Sequence, residues 1–127
     1  MSARILIVED NVDLLTILQE VLSADYEVVT ADSGEAAVAL AQTLDPDLVL
    51  LDIHLPGISG IEAGTQIKQN AAPRSVPILV LTALAQKDDD GGLLASGCCD
   101  AVMLKPAPLP IIRAKVHELL YSHTEIT

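Results

Sequence analysis

The chain is almost without aromatic residues: no phenylalanine, no tryptophan, and only two tyrosines, Tyr26 and Tyr121. Its core must therefore be assembled from Val, Leu, Ile and Ala. The same scarcity argues against base-stacking platforms for nucleic acid, and against a flavin held between rings. Basic residues are also few. Seven Lys plus Arg stand against 18 Asp plus Glu, a formal net charge of −11. With no basic surplus to neutralise phosphates, direct binding to DNA or RNA by this domain is not expected. Long apolar runs are missing too. The longest unbroken one, Ala36 to Ala41, has six residues, whereas a membrane-spanning helix needs about 20. The start, Met1-Ser2-Ala3-Arg4-Ile5, turns apolar at once and lacks the layout of a secretory signal. The two cysteines are adjacent, Cys98-Cys99, so they cannot build a disulfide framework. Reduced thiols in a cytoplasmic protein are the expectation.

What the chain does have is hydrophobic bulk arranged in a regular order. Its 127 residues, half of them hydrophobic and a fifth charged, suit one globular domain over 1–127. There is no repeat, low-complexity stretch or internal linker. Ile5-Leu6-Ile7-Val8, Leu48-Val49-Leu50-Leu51 and Ile78-Leu79-Val80-Leu81 are apolar throughout. Strands buried on both faces of a parallel sheet read this way. Tyr26 to Thr30 and Ala101 to Leu104 are weaker strand patterns, expected nearer the edges.

Helical patterns lie between the strands. Leu14, Ile17, Leu18, Val21 and Leu22 form one apolar stripe, with Asn11 placed to cap its start. Ala37, Leu40, Ala41 and Leu44 form a second behind Ser33, closed by Asp45-Pro46. A third helix is predicted from Gly60 to Asn70 and a last one from Pro110 to Tyr121. Lys87 to Ser96 fills the remaining helical slot, weakened by Gly91-Gly92 at roughly 1 kcal/mol per Gly relative to Ala. Five strands alternating with five helices predict a doubly wound α/β domain with right-handed crossovers.

The residues at the end of each apolar run point to function. The first strand ends in Glu9-Asp10, the third in Asp52, the fourth in Thr82 and the fifth in Lys105. In an open parallel sheet these ends share one edge, where ligands bind. Polar residues commonly end strands, so each position alone means little. Together they gather three carboxylates, one hydroxyl and one ammonium at a single rim. Crowded acids repel, which raises a pKa or recruits a cation. Hard oxygen ligands suit Mg²⁺, which takes one or two carboxylates plus phosphate oxygens. A metal, a lysine and a hydroxyl around a central carboxylate is an arrangement for phosphoryl transfer, with the carboxylate as nucleophile.

At this point the residues resemble a known family. Val8-Glu9-Asp10-Asn11, Asp52-Ile53-His54-Leu55-Pro56-Gly57 with Gly60, Leu81-Thr82-Ala83 and Lys105-Pro106 are similar to the receiver domain of two-component response regulators. The ordered set covers essentially the whole chain. The resemblance implies a flavodoxin-like fold with strand order 2-1-3-4-5. It implies that Asp52 accepts a phosphoryl group from a histidine kinase or histidine phosphotransfer protein, and that phosphorylation alters a downstream protein or output domain. It further implies Mg²⁺ held by Glu9, Asp10, Asp52 and the His54 carbonyl. Thr82, the Ala83 amide and Lys105 would then contact the phosphoryl group, and Lys105-Pro106 falls where the family commonly has a cis peptide.

The chain departs from the family pattern in three places. The switch position three residues before Lys105, commonly a ring, is Val102. Between Gly97 and Lys105 the sequence is one residue longer than the common spacing, which leaves room for a shifted register in the last strand. The fourth helical slot carries Asp88-Asp89-Asp90-Gly91-Gly92 and is expected to be short. The chemistry is therefore expected to be intact and the readout altered, with the response carried by the segment from Ala83 to Gly97.

Two other classes compete with this reading. A Mg²⁺-dependent phosphohydrolase of the haloacid-dehalogenase type also uses a strand-end Asp, but usually has a second Asp two residues on, where this chain has His54. A flavodoxin-like electron carrier would need a phosphate-binding loop where Glu9 and Asp10 stand. His54 is a metal ligand or an exposed tuning residue; His117 and His123 are expected to face solvent. Cys98-Cys99 is an oxidation sensor or a small-residue turn, and Asp88 to Asp90 a cation site or a solvated helix start. Ser122 to Thr127 reads as a short polar tail, so the chain is expected to be a stand-alone receiver or one trimmed from a longer regulator.

Overall fold

A computed structural model describes residues 3–70, 76–82 and 97–122. Along the chain these form β1 (Arg4–Val8), α1 (Val12–Leu22), β2 (Glu27–Ala31), α2 (Gly34–Leu44), β3 (Leu48–Leu51), α3 (Gly60–Asn70), β4 (Ile78–Thr82), β5 (Ala101–Leu104) and α4 (Leu109–Ser122). The strands are parallel in one sheet ordered β2-β1-β3-β4-β5. The helical slot from Lys87 to Ser96, the Asp88 to Asp90 run, Ala83 and His123 lie outside the described residues.

Successive strand side chains point to opposite faces, and each face has its own helices. Ile5, Ile7, Leu48, Leu50, Leu79 and Leu81 meet Leu18 and Leu22 of α1 and Ile112 and Val116 of α4. Leu6, Val8, Val49, Leu51 and Val80 meet Ala37 of α2 and Ile67 of α3. The core is mainly aliphatic, with Cys98 and Cys99 also buried in it and no phenylalanine or tryptophan to contribute. The three runs that are apolar on both faces become the three central strands, β1, β3 and β4. Among the described residues, no helix is long and apolar enough to cross a membrane.

Side chains set the helix ends. Asn11 accepts from the Leu14 N–H and the Ser33 hydroxyl from the Ala36 N–H, both at 3.1 Å. Each satisfies an amide that the first turn would leave unpaired. Asp45 closes α2 in the left-handed conformation, φ 50, and its N–H donates to Ala41. Two predicted starts move by one residue. The Tyr26 N–H donates to the Leu22 carbonyl at 2.9 Å, which closes the end of α1, so β2 begins at Glu27. The amides of Ile111 and Ile112 both donate to Pro108, which starts α4 at Leu109.

The β5 register runs without interruption along the strand, with Leu79 opposite Ala101, Val80 opposite Val102 and Thr82 opposite Leu104. Asp100 fixes where the pairing begins, because its carboxylate accepts from the Ile78 N–H and from Lys68 of α3. Cys98 and Cys99 are buried just before β5. Burial, with Cys98 and Asp100 beside it, pushes the Cys99 thiol up to about 12. A thiol so seldom ionised is a poor nucleophile. The burial of both residues fits the small-residue turn.

Candidate functional site

The rim residues stand one step beyond their strands, and backbone bonds to neighbouring strands hold them there. The Glu9 N–H donates to Ala31 at 3.1 Å, the Asp52 N–H to Val8 at 3.0 Å, and the Lys105 N–H to Thr82 at 2.8 Å. Each site residue thus extends the ladder by one rung before the chain turns away. Glu9 and Asp52 are 2% and 5% exposed, and Asp10 is open to solvent. One carboxylate oxygen from each of Glu9, Asp10 and Asp52 lies within 4.8 Å of the other two.

Among the described residues, a single ammonium serves this cluster. Lys105 Nζ donates to Glu9 Oε1 at 2.9 Å and to Asp52 Oδ2 at 3.2 Å. Backbone amides take up the other oxygens: Asn11 donates to Glu9 Oε2 and His54 to Asp52 Oδ1, both at 3.1 Å. Burial raises the Glu9 pKa and the Asp52 charge adds to the rise, outweighing the opposing bonds from Lys105 and Asn11. For Lys105 burial works to lower the pKa, but the bond to Glu9 and the charge of Asp52 outweigh it, and the net shift is upward. The two directions agree physically, since one cation shared between two carboxylates is strongly held while Glu9 remains under-compensated.

The Glu9 shift makes stability depend on pH. A carboxyl with a raised folded-state pKa costs stability while it is ionised, and that cost fades as pH falls towards the unfolded value. Wild type should therefore gain stability relative to Glu9→Gln between pH 7 and pH 5 without metal. Urea unfolding at the two pH values measures it. Parallel changes in the two proteins would mean that Glu9 is not the strained group.

Thr82 is buried at the end of β4, beside Lys105 through their backbone bond. Val102 lies opposite Val80 and packs on the α2/α3 face. The Lys105–Pro106 peptide is cis. The imidazole of His54 is exposed. His117, also exposed, stacks obliquely on Tyr121 of the same helix, with ring centroids 4.5 Å apart. A concavity of about 510 Å³, lined by Arg4, Asp25, Glu27, Asp45 and Asp47 among others, opens at the opposite ends of the strands. One contact near the rim has no counterpart in the sequence pattern: Glu35 of α2 accepts from the Ile58 N–H in the loop after Asp52. An acid in a helix's first turn gives no sign of a partner 23 residues away.

Fold and rim together define a doubly wound α/β domain with a carboxylate–lysine cluster where its central strands end. Comparison with known proteins gives that class its family. The response regulator receiver domain matches residues 5–117. The polar-differentiation response regulator DivK of Brucella ovis is 35% identical over 111 residues, covering 87% of this chain and 89% of the relative. A CheY-like receiver domain protein from Methanospirillum hungatei superposes with a TM-score of 0.91 at 25% identity over the full length of both chains. The receiver domain of a sensor histidine kinase from Pseudomonas aeruginosa gives a TM-score of 0.84 at 29% identity, covering 94% of this chain and 98% of the other. That structure holds a magnesium ion coordinated in its active-site cleft. The chain belongs to the receiver-domain family of two-component response regulators, and is a signalling module with the flavodoxin-like fold and strand order that its sequence resemblance implied.

Proposed function

We propose that this chain, as one receiver domain over residues 1–127 in the cytoplasm, is a phosphoacceptor with Asp52 as the residue modified. The donor is a histidine kinase or histidine phosphotransfer protein. The recipient of the signal is a downstream protein or output domain, with no nucleic acid or membrane contacted directly. The observation that carries this reading is the Glu9–Asp10–Asp52 cluster with Lys105 bonded to Asp52.

Three carboxylates around one ammonium leave a surplus of negative charge on hard oxygen donors, which suits Mg²⁺. Glu9, Asp10 and Asp52, with the His54 carbonyl, would hold it. When bound, the ion supplies positive charge to the oxygens of the phosphoryl group. The chain's own residues do the rest. A carboxylate oxygen of Asp52 attacks phosphorus, the P–N bond of the phosphohistidine breaks as the new P–O bond forms, and an acyl phosphate results. Lys105 then pairs with a phosphoryl oxygen, while the Thr82 hydroxyl and the Ala83 amide contact the others. The chain catalyses its own phosphorylation and dephosphorylation and nothing further. Thr82 and Val102 are the switch positions. A β-branched Val is stiff and too short to swing as a ring does, so movement of Thr82 is read out by other means.

Acetyl phosphate with Mg²⁺ tests the assignment. One hydroxylamine-sensitive phosphoryl group should appear on Asp52, and Asp52→Asn should take up none. Mg²⁺ should raise the melting temperature by mass action, and Asp10→Ala should abolish that rise. Acid-stable phosphate on a Ser or Thr would refute the phosphoacceptor. Superimposable melting curves with and without Mg²⁺ would refute the metal site.

A further inference from the structure

The loop from Asp52 to Gly60 runs along the rim with His54, Pro56, Gly57 and Ser59 exposed, yet side chains and backbone fasten it at three points. At its near end the His54 N–H holds Asp52 Oδ1, and at its far end the Gly60 N–H donates to Ile53 at 2.9 Å. The third fastening comes from another element. Glu35, in the first turn of α2, accepts the Ile58 N–H on Oε2 at 3.1 Å. Gly57, at φ 78, lies against the same carboxylate, and a Cβ there would run into both of its oxygens. Gly34 abuts the loop as well, since a Cβ on it would meet the Ile58 side chain and carbonyl. The start of α2 is therefore seated on the Gly57–Ile58 bend, and Glu35 provides its directional bond.

We propose that Glu35 is a positioning residue for the Asp52 site. Its carboxylate fixes the Gly57–Ile58 bend, the bend holds His54 in place, and the His54 amide sets the orientation of the Asp52 carboxylate. The inference rests on the reading of Asp52 as a Mg²⁺-dependent phosphoacceptor. A merely structural role is the alternative, because an acid in the first turn also complements the helix dipole. Glutamine separates the two: it keeps an oxygen that accepts the Ile58 N–H and removes the charge.

The test compares the unaltered 127-residue protein with Glu35→Ala and Glu35→Gln. Three readouts are needed: amide exchange at Ile58 and His54, the dissociation constant of Mg²⁺ alone by calorimetry, and the labelling rate with acetyl phosphate. Loss of one hydrogen bond changes an equilibrium by about fivefold. Glu35→Ala should therefore speed exchange at both amides, weaken Mg²⁺ binding about fivefold and slow labelling to match. Glu35→Gln should stay within about twofold of wild type in each, the limit set by a fraction of one hydrogen bond. Fast exchange in Glu35→Ala with unchanged Mg²⁺ affinity would overturn the proposal, as would equal impairment in the glutamine variant. Wild type that neither binds Mg²⁺ nor labels at Asp52 would overturn the site reading and this inference together. Wild type that does both, with Glu35→Ala indistinguishable from it, would overturn the inference alone.

Discussion

Lys105→Ala should lower the melting temperature of the Mg²⁺-free protein by about 6–10 °C, and Mg²⁺ should restore most of the loss. Lys105 is the cation that bonds both Glu9 and Asp52, two carboxylates almost withdrawn from water. Without it they face each other and Asp10 with, among the described residues, only backbone amides in compensation. Hydrogen bonds to charged groups contribute about 1.5–3 kcal/mol each when buried. The lysine side chain is 19% exposed, so water recovers part of that, and about 2 kcal/mol for the pair is the expected net loss. For a domain of this size that corresponds to the stated shift. A divalent cation placed among the same oxygens substitutes for the missing charge, so the variant should gain more from Mg²⁺ than wild type does. Equal gains in the two proteins would show that Lys105 does not compensate the cluster. Labelling of the variant by acetyl phosphate should still occur, with a weaker conformational response, because on the proposed phosphoacceptor reading the ammonium addresses the phosphoryl oxygen.

Gly60→Ala should destabilise the fold by about 2 kcal/mol, although alanine is ordinarily the better helix residue by about 1 kcal/mol. Gly60 opens α3, and its N–H donates to Ile53. A Cβ on it would run into the Asp52 carbonyl oxygen and the Ile53 Cα. Both are backbone atoms next to the Asp52 carboxylate, so the collision cannot be relieved by turning a side chain. Either α3 moves outward or the chain at Asp52 moves, and the second disturbs the proposed metal ligands. Urea unfolding and Mg²⁺ titration should therefore both deteriorate. A variant as stable as wild type would mean that α3 is free to shift, and that Gly60 is not what brings it so close to Asp52.

Much of this was legible in the sequence because the physics involved is local. The apolar runs at Ile5, Leu48 and Ile78 could satisfy water on neither face, so they had to be the middle of the sheet. Asn11 and Ser33 announced helix starts through the amides that their side chains accept. The rim was legible because strands in a parallel sheet end on one edge, which made the residue after each run informative. Tyr26 misled by one position, since its amide serves the end of α1 and nothing in its side chain says so. The start of β5 could not be read from the spacing before Lys105, because it is set by Asp100, which ties the strand to Ile78 and Lys68. Glu35 was illegible for the same reason as Asp100: each finds its partner across the fold, at a separation that carries no period.

The four strands that carry the rim are unequally buried. Glu9, Asp52 and Thr82 follow or end β1, β3 and β4, whose residues are buried almost without exception, while Lys105 follows β5, half-exposed along its length with Leu104 45% exposed. Regions with less buried apolar surface open at lower free energy, so the edge strand should part from the sheet while the centre stays closed. The anions of the site are thus anchored in the part of the molecule that yields last, and their counter-charge in a part that yields early. A partial opening confined to β5 would carry the ammonium away and leave the three carboxylates in register. The site's charge balance is therefore only as durable as its edge strand.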